Sequence, residues 1–132
     1  MRKVVPSAVH YHLHQNQRTK KMKSKIKRPK PLHLVLKSKW YDKIESGEKT
    51  SEYRMCKAYW NKRLAGLDTA DGQVYMGFNT DFSRRFSSVI FHKGYTNHTM
   101  EYIIRSIKVI TGQPNDLGVF QCWEIKLGQR IQ

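Results

Sequence analysis

Acidic residues are missing from the first 31 positions of this 132-residue chain, and cysteines and prolines are few throughout. Cys56 and Cys122 lie far apart in sequence with no CxxC spacing, which is the usage of small buried hydrophobes in a reducing compartment. No apolar run approaches the length of a membrane span, so an association with membranes is not expected. The basic N-terminus lacks the apolar stretch of a secretory signal, and positions 1–17 are too poor in Arg for a transit peptide. The cytoplasm is therefore the default location. There is no phosphate-binding Gly-rich loop, no nucleophile elbow and no internal repeat. The length fits one domain, and a hydrophobic content of 39% suffices for one modest core.

What is present in excess is positive charge. Lys and Arg number 25 against 10 Asp and Glu, for a formal net charge of +15. Residues 1–31 carry +10 of this and residues 32–132 the remaining +5. Such an imbalance points to a polyanionic partner, because each cation placed near a phosphate releases condensed counterions. Residues 18–31 (RTKKMKSKIKRPKP) combine like charges with few apolar side chains, and Pro29 and Pro31 oppose regular pairing. Residues 1–31 are accordingly expected to form a basic, flexible tail, with Met22 as a second candidate start. His10, His12 and His14 alternate as strand-borne metal ligands would, but no Cys or carboxylate supplements them. Neither a metal nor any other cofactor is expected.

From Leu32 the pattern becomes that of a folded domain. Residues 32–37 (LHLVLK) predict a strand. Ser38 is a candidate N-cap for a helix whose apolar face holds Trp40, Tyr41 and Ile44, and Gly47 suits the left-handed position that ends it. Residues 49–57 read as a strand and 58–66 as a second short helix. Residues 67–88 carry little periodic signal, apart from an Asp71-Gly72 turn leading into residues 73–78. Strands follow at 89–91, ending near Gly94, and at 100–110. In the latter the apolar parity shifts from Tyr102 and Ile104 to Ile107 and Val109, the signature of a bulge. The last strand alternates, with Trp123, Ile125 and Leu127 on one face and Glu124 and Lys126 on the other. The fold class is α+β, a small barrel with short helices.

The densest chemistry lies in residues 47–54 (GEKTSEYR). On an extended chain Thr50, Glu52 and Arg54 share one face, and Lys49 reaches over it from the preceding corner. This group can bind a phosphate or a base edge. It can also activate water, with Glu52 as general base and Lys49 or Arg54 stabilising an oxyanion. An ordinary surface ion network on an edge strand accounts for the same residue types.

The run Leu34-Val35-Leu36-Lys37, then Trp40-Tyr41, Ile44 and the G-x-K-x-x-E-x-R pattern of Gly47, Lys49, Glu52 and Arg54, resembles the signature of ASCH domains, relatives of the PUA-like folds. The similarity continues through Tyr59-Trp60, Arg63-Leu64, Val89-Ile90-Phe91 and Gly94-Tyr95 to Trp123-Glu124-Ile125-Lys126-Leu127-Gly128. It covers nearly all of residues 32–131 and is closest to the small stand-alone members of bacteria and phages. The resemblance implies a β-barrel over residues 32–132, with a cleft bordered by the first helix and the strand of Glu52 and Arg54. It also implies RNA binding, or hydrolysis of a modified nucleoside or of RNA. In the amidohydrolase branch of the family, a Lys after the helix-ending Gly activates a Thr three residues on. Lys49 matches that Lys, but the third position after it is Glu52, so that reaction does not carry over.

The expected function is RNA or nucleotide binding through this cleft. A small hydrolase using Lys49, Glu52 and Arg54 is the alternative, and a protein-interaction adaptor a weaker one. A cleft enclosing one base, with Lys49 in reach of Glu52, favours catalysis, whereas an open groove running into positive surface favours binding. The expected nucleic-acid contacts are Lys39, Lys49, Arg54, Lys57, Tyr59, Arg63, Arg84, Arg85, Lys93 and Tyr95. Arg84-Arg85 between Phe82 and Phe86 fits either a phosphate contact or a solvated loop with its aromatics tucked inward. Trp40, Trp60 and Trp123 are assigned to the core.

Overall fold

Leu32, Leu34 and Leu36 are buried while His33 and Val35 between them are exposed, so the first strand, β1 (Lys30–Leu36), lays one face on the core. The computed structural model describes residues 28–69 and 79–132. Pro31 sits at a register irregularity of this edge strand, where its missing N–H breaks no ladder. The chain then turns at Lys37 into helix α1 (Ser38–Glu45). Ser38 is the first helical residue and not the cap: Lys37 holds the extended cap position and gives no side-chain capping bond. Tyr41 and Ile44, three residues apart, bury the inner face. Gly47 ends the helix as expected, with φ +85° and its N–H on the carbonyl of Ile44 at 3.0 Å.

Strand β2 (Ser51–Met55) and helix α2 (Ala58–Ala65) follow, then a 3₁₀ turn at Ser83–Arg85 and three long strands. These are β3 (Phe86–Lys93), β4 (Thr99–Thr111) and β5 (Gln121–Arg130). The five strands make one curled mixed sheet, a half-barrel in the order β1-β3-β4-β5-β2, with β1 and β3 parallel and the other pairs antiparallel. With its two short helices this is a small α+β, barrel-like fold. The expected bulge in β4 is present, with register shifts on both sides of Ile104. Ile104 pairs with Leu127 of β5, and at the next residue, Gly128, a Cβ would come within 3.1 Å of the Arg105 side chain.

The core runs from the leucines of β1 through Val89, Phe91 and Ile107 to Trp123 and Ile125. Trp123 is fully buried and donates its indole N–H to Asn61 Oδ1 at 2.9 Å, and Phe82 meets its ring edge-on at 5.7 Å. Cys122 is buried and Cys56 half-buried. Met55 pairs with Cys122 across β2 and β5, so the two cysteines are neighbours in space despite their separation in sequence. Burial pushes both thiols up to about 11, with Cys122 adding to it for Cys56 and Glu124 for Cys122. Both are therefore unreactive packing residues. Of the tail expected over residues 1–31, residues 1–27 lie outside the described residues, as do the His10–His12–His14 alternation and the turn at 71–78, while Lys30 and Pro31 belong to β1 because Lys30 pairs with Phe86 of β3.

Candidate functional site

Two backbone devices deliver the ionic residues to one place. At the end of α1 the N–H of Lys49 bonds the carbonyl of Lys43 at 2.9 Å, which fixes the corner before β2. The N–H of Leu127 then bonds the carbonyl of Thr50 at 3.0 Å and sets the register of β2 on β5. Glu52 falls opposite Ile125 and Arg54 opposite Trp123. Directly opposed residues point to the same face, so Glu52 and Arg54 lie on the core side of the half-barrel, at its rim. A surface ion network on an edge strand is thereby excluded for them.

Glu52 is the hub. Its Oε1 accepts from Lys49 Nζ at 3.1 Å and its Oε2 from Arg54 Nη2 at 2.7 Å. The side chains of Lys49 and Glu52 are only 9% and 8% exposed. Lys49 also pairs with Asp116, so its ammonium lies between two carboxylates. Each cation in addition covers an aromatic ring. Lys49 sits 4.7 Å from the centre of the Trp40 ring and 5.2 Å from that of Tyr53, while Arg54 sits 4.8 Å from Trp60. Glu52 accepts from one nitrogen of the Arg54 fork, and the Nε–H of Arg54 is buried with no acceptor among the described residues. Burial pushes the Tyr53 phenol up, with Glu124 and Asp116 adding to it, so Tyr53 remains a protonated donor.

Above this hub a cleft of about 370 Å³ opens between the two edge strands, bordered by Val35 and Lys37 of β1, Trp40 of α1, Tyr53 and Arg54 of β2, and Trp60 of α2. Trp123 is core, as expected, but Trp40 and Trp60 are not wholly so. Both are half-buried, pack on the core with part of their surface and line the cleft with the rest. The reason is that α1 and α2 flank the gap between β1 and β2, a gap that helical periodicity cannot show.

The remaining expected contacts are spread out. Lys39 is exposed with its ammonium 4.9 Å from the Trp40 ring centre, so it stands by the cleft. Lys57 caps α2 and is exposed, and Tyr59 is exposed with its ring edge-on to Trp60 at 4.8 Å. Arg63 donates to the carbonyl of His33 at 2.7 Å. Arg84 and Arg85 are exposed in the 3₁₀ turn while Phe82 and Phe86 pack inward, and Arg85 lies against Gly66. Lys93 pairs with Asp42 at 2.9 Å, and Tyr95 is fully exposed at the β3–β4 turn. None of these last seven lines the cleft. Thr50 is exposed and takes no part in the ion pairs among the described residues.

Sequence reasoning missed Asp116 and its neighbour Leu117, which also borders the cleft. They arrive on the β4–β5 loop, which Asn115 shapes. The Asn115 amide donates to the carbonyls of Gln113 and Val119 at 3.0 and 2.7 Å, and its oxygen accepts from the N–H of Leu117 at 3.0 Å. The Asn-Asp-Leu-Gly run at 115–118 announces a turn. Its landing place, 67 residues from Lys49, depends on the strand order.

Of the ionic hub, Glu52 and Arg54 line the cleft, one carboxylate and one cation that leave its floor close to neutral, and positive charge sits at the rim. Lys37 and Lys39 form no ion pair among the described residues. Both oxygens of Glu52 are engaged, one by Lys49 and one by Arg54. The described residues hold no group of three metal-ligating side chains, and no helix among them is long and apolar enough to cross a membrane. Compared with known protein families, with characterised proteins and with solved structures, the chain matches none.

Proposed function

We propose that this protein binds RNA or a nucleotide in the cleft between β1 and β2, as an ASCH-like, PUA-like module of the cytoplasm whose basic tail adds attraction without selectivity. The observation that carries this reading is the state of Arg54. Glu52 anchors one nitrogen of its guanidinium at 2.7 Å on the cleft wall, and no other acceptor holds the fork among the described residues. A planar fork held at one end and open at the other takes an acceptor from a ligand in a fixed geometry. The neutral floor supports a neutral heterocycle as the inserted group, and the rim cations Lys37 and Lys39 support a phosphate outside it. Trp40 and Trp60 offer aromatic surface for stacking, worth about 1–3 kcal/mol per base.

The test is fluorescence anisotropy of a labelled single-stranded RNA against the wild type and Arg54→Lys. The substitution keeps the charge and removes the planar fork, so affinity is expected to fall about tenfold. Unchanged affinity contradicts the reading. Hydrolysis is a second reading, supported by Lys49 standing 3.1 Å from Glu52, within reach for proton transfer. It predicts turnover of a modified nucleoside or of RNA that Glu52→Gln abolishes while binding persists.

A further inference from the structure

The backbone of the two edge strands has a part in the cleft that the side chains do not reveal. In an extended strand the N–H and C=O of one residue point the same way, and successive residues alternate. On β1 the carbonyl of Leu36 accepts from Gly94, at the end of β3, whereas that of His33 accepts from Arg63 of α2, on the opposite side. Leu32, Leu34 and Leu36 therefore serve the ladder to β3, and the N–H and C=O of Val35 face the open edge. On β2 the carbonyl of Thr50 accepts from Leu127, so Glu52 and Arg54 serve the ladder to β5. The N–H and C=O of Tyr53 face the other way. Val35 and Tyr53 both border the cleft, and neither backbone pair has a partner among the described residues.

Two free strand edges across a gap ordinarily invite a third strand. Here there is no length for one. Arg63 occupies the β1 edge at His33, and the carbonyl of Met55 is taken by the N–H of Lys57 at 2.9 Å. What remains is about one residue on each side, in the cleft that Trp40 and Trp60 also border. That matches a single planar heterocycle whose edge carries a donor and an acceptor side by side.

Resting on the nucleotide-binding reading above, we infer that the cleft takes one unpaired nucleobase, whose Watson–Crick edge pairs with the N–H and C=O of Val35 while its opposite edge faces those of Tyr53. Base-paired RNA is excluded, because its edges are already engaged. Selectivity against an edge that cannot pair arises from the desolvated backbone groups it leaves unmatched.

The experiment is calorimetric titration of the full chain with the four ribonucleoside 5′-monophosphates. The best binder is then compared with a counterpart methylated on the Watson–Crick edge of a base that stays neutral: N6,N6-dimethyl-AMP, 1-methyl-GMP, 3-methyl-UMP or N4,N4-dimethyl-CMP. Methylation keeps the ring face and the phosphate but blocks the edge, so affinity should drop about tenfold or more. A methylated nucleotide that binds as well as its parent, or better, overturns edge readout while leaving nucleotide binding intact. If none of the four monophosphates binds, both this inference and the reading beneath it fail. Val35→Pro gives an independent arm: it removes one N–H on an edge strand, where proline is tolerated. With melting behaviour unchanged, it should weaken the parent nucleotide and leave the weak methylated one unaffected. Equal losses for both nucleotides overturn the inference, as does strand-like binding of an extended peptide in competition with the nucleotide.

Discussion

Replacing Glu52 by Gln removes one charge and almost no volume, so its effect isolates the electrostatics of the hub. Glu52 is the buried partner of two cations, at 3.1 Å from Lys49 and 2.7 Å from Arg54. Removing one member of a buried charge pair costs about 3–5 kcal/mol, because the other member is left without compensation. Asp116 remains on Lys49 and the Trp60 ring remains beside Arg54, which places the expectation at the lower end, about 3 kcal/mol. At roughly 4–8 °C per kcal/mol for a domain of this size, melting should fall by roughly 12–24 °C. Asp116→Asn removes the other carboxylate on Lys49, but that side chain is 33% exposed. Its loss should cost only about 0.2–1 kcal/mol, as surface pairs do. Thermal melts at low salt and at about 0.5 M NaCl separate the two cases, since salt screens exposed pairs far more than buried ones. Equal effects of the two substitutions, or a Glu52→Gln loss that vanishes in salt, refute the claim of a buried hub.

Trp123→Ala should destabilise by about 3–5 kcal/mol in urea titrations, since the indole is fully buried. Asn61→Ala should cost about 1–3 kcal/mol in the same assay, by leaving the Trp123 N–H without its acceptor. Burial works to raise the pKa of Asp81, but hydrogen bonds from the N–H groups of Ile107 and Ser83 and from the Ser83 hydroxyl, with Lys108 nearby, outweigh it and hold the carboxyl below its ordinary value. A lowered folded pKa gives stability that is present above the unfolded value near ~4 and lost as pH falls through the folded one. Asp81→Asn should therefore be less stable at neutral pH, and the gap to wild type should close in acid melts below pH ~4. Changing the basic residues of positions 1–31 to Gln should flatten the salt dependence of RNA binding, by about 0.7 in log–log slope for each phosphate the tail no longer neutralises. An unchanged slope removes the tail from the interface.

What the sequence shows plainly is whatever rests on local periodicity. β1, both helices and β5 follow from the spacing of Leu32, Leu34 and Leu36, of Tyr41 and Ile44, and of Trp123, Ile125 and Leu127. Strand β2 is shorter than residues 49–57 suggest, because Lys49 and Thr50 are used by the corner and Lys57 bonds back onto Met55. Strand β3 begins at Phe86, three residues before its apolar run. Ser88, polar by type, is buried because its hydroxyl donates to Glu101 of β4. The triad of Lys49, Glu52 and Arg54 is legible because it is local, whereas its place on the core face depends on pairing with β5. Asp116 and the cleft-lining role of Trp40 and Trp60 arise from strand order and helix placement, which no window of sequence contains.

The central claim, that a nucleotide enters between β1 and β2, has a direct readout in the three tryptophans of the chain. Trp40 and Trp60 border the cleft and Trp123 is sealed in the core. In a ¹⁵N–¹H spectrum the indole N–H groups give three resonances, assigned by Trp40→Phe and Trp60→Phe. Titration with the ribonucleoside monophosphates should move the signals of Trp40 and Trp60 in a saturable way and leave that of Trp123 in place. Shifts confined to backbone amides outside the cleft, with both cleft indoles unmoved at saturation, contradict the account.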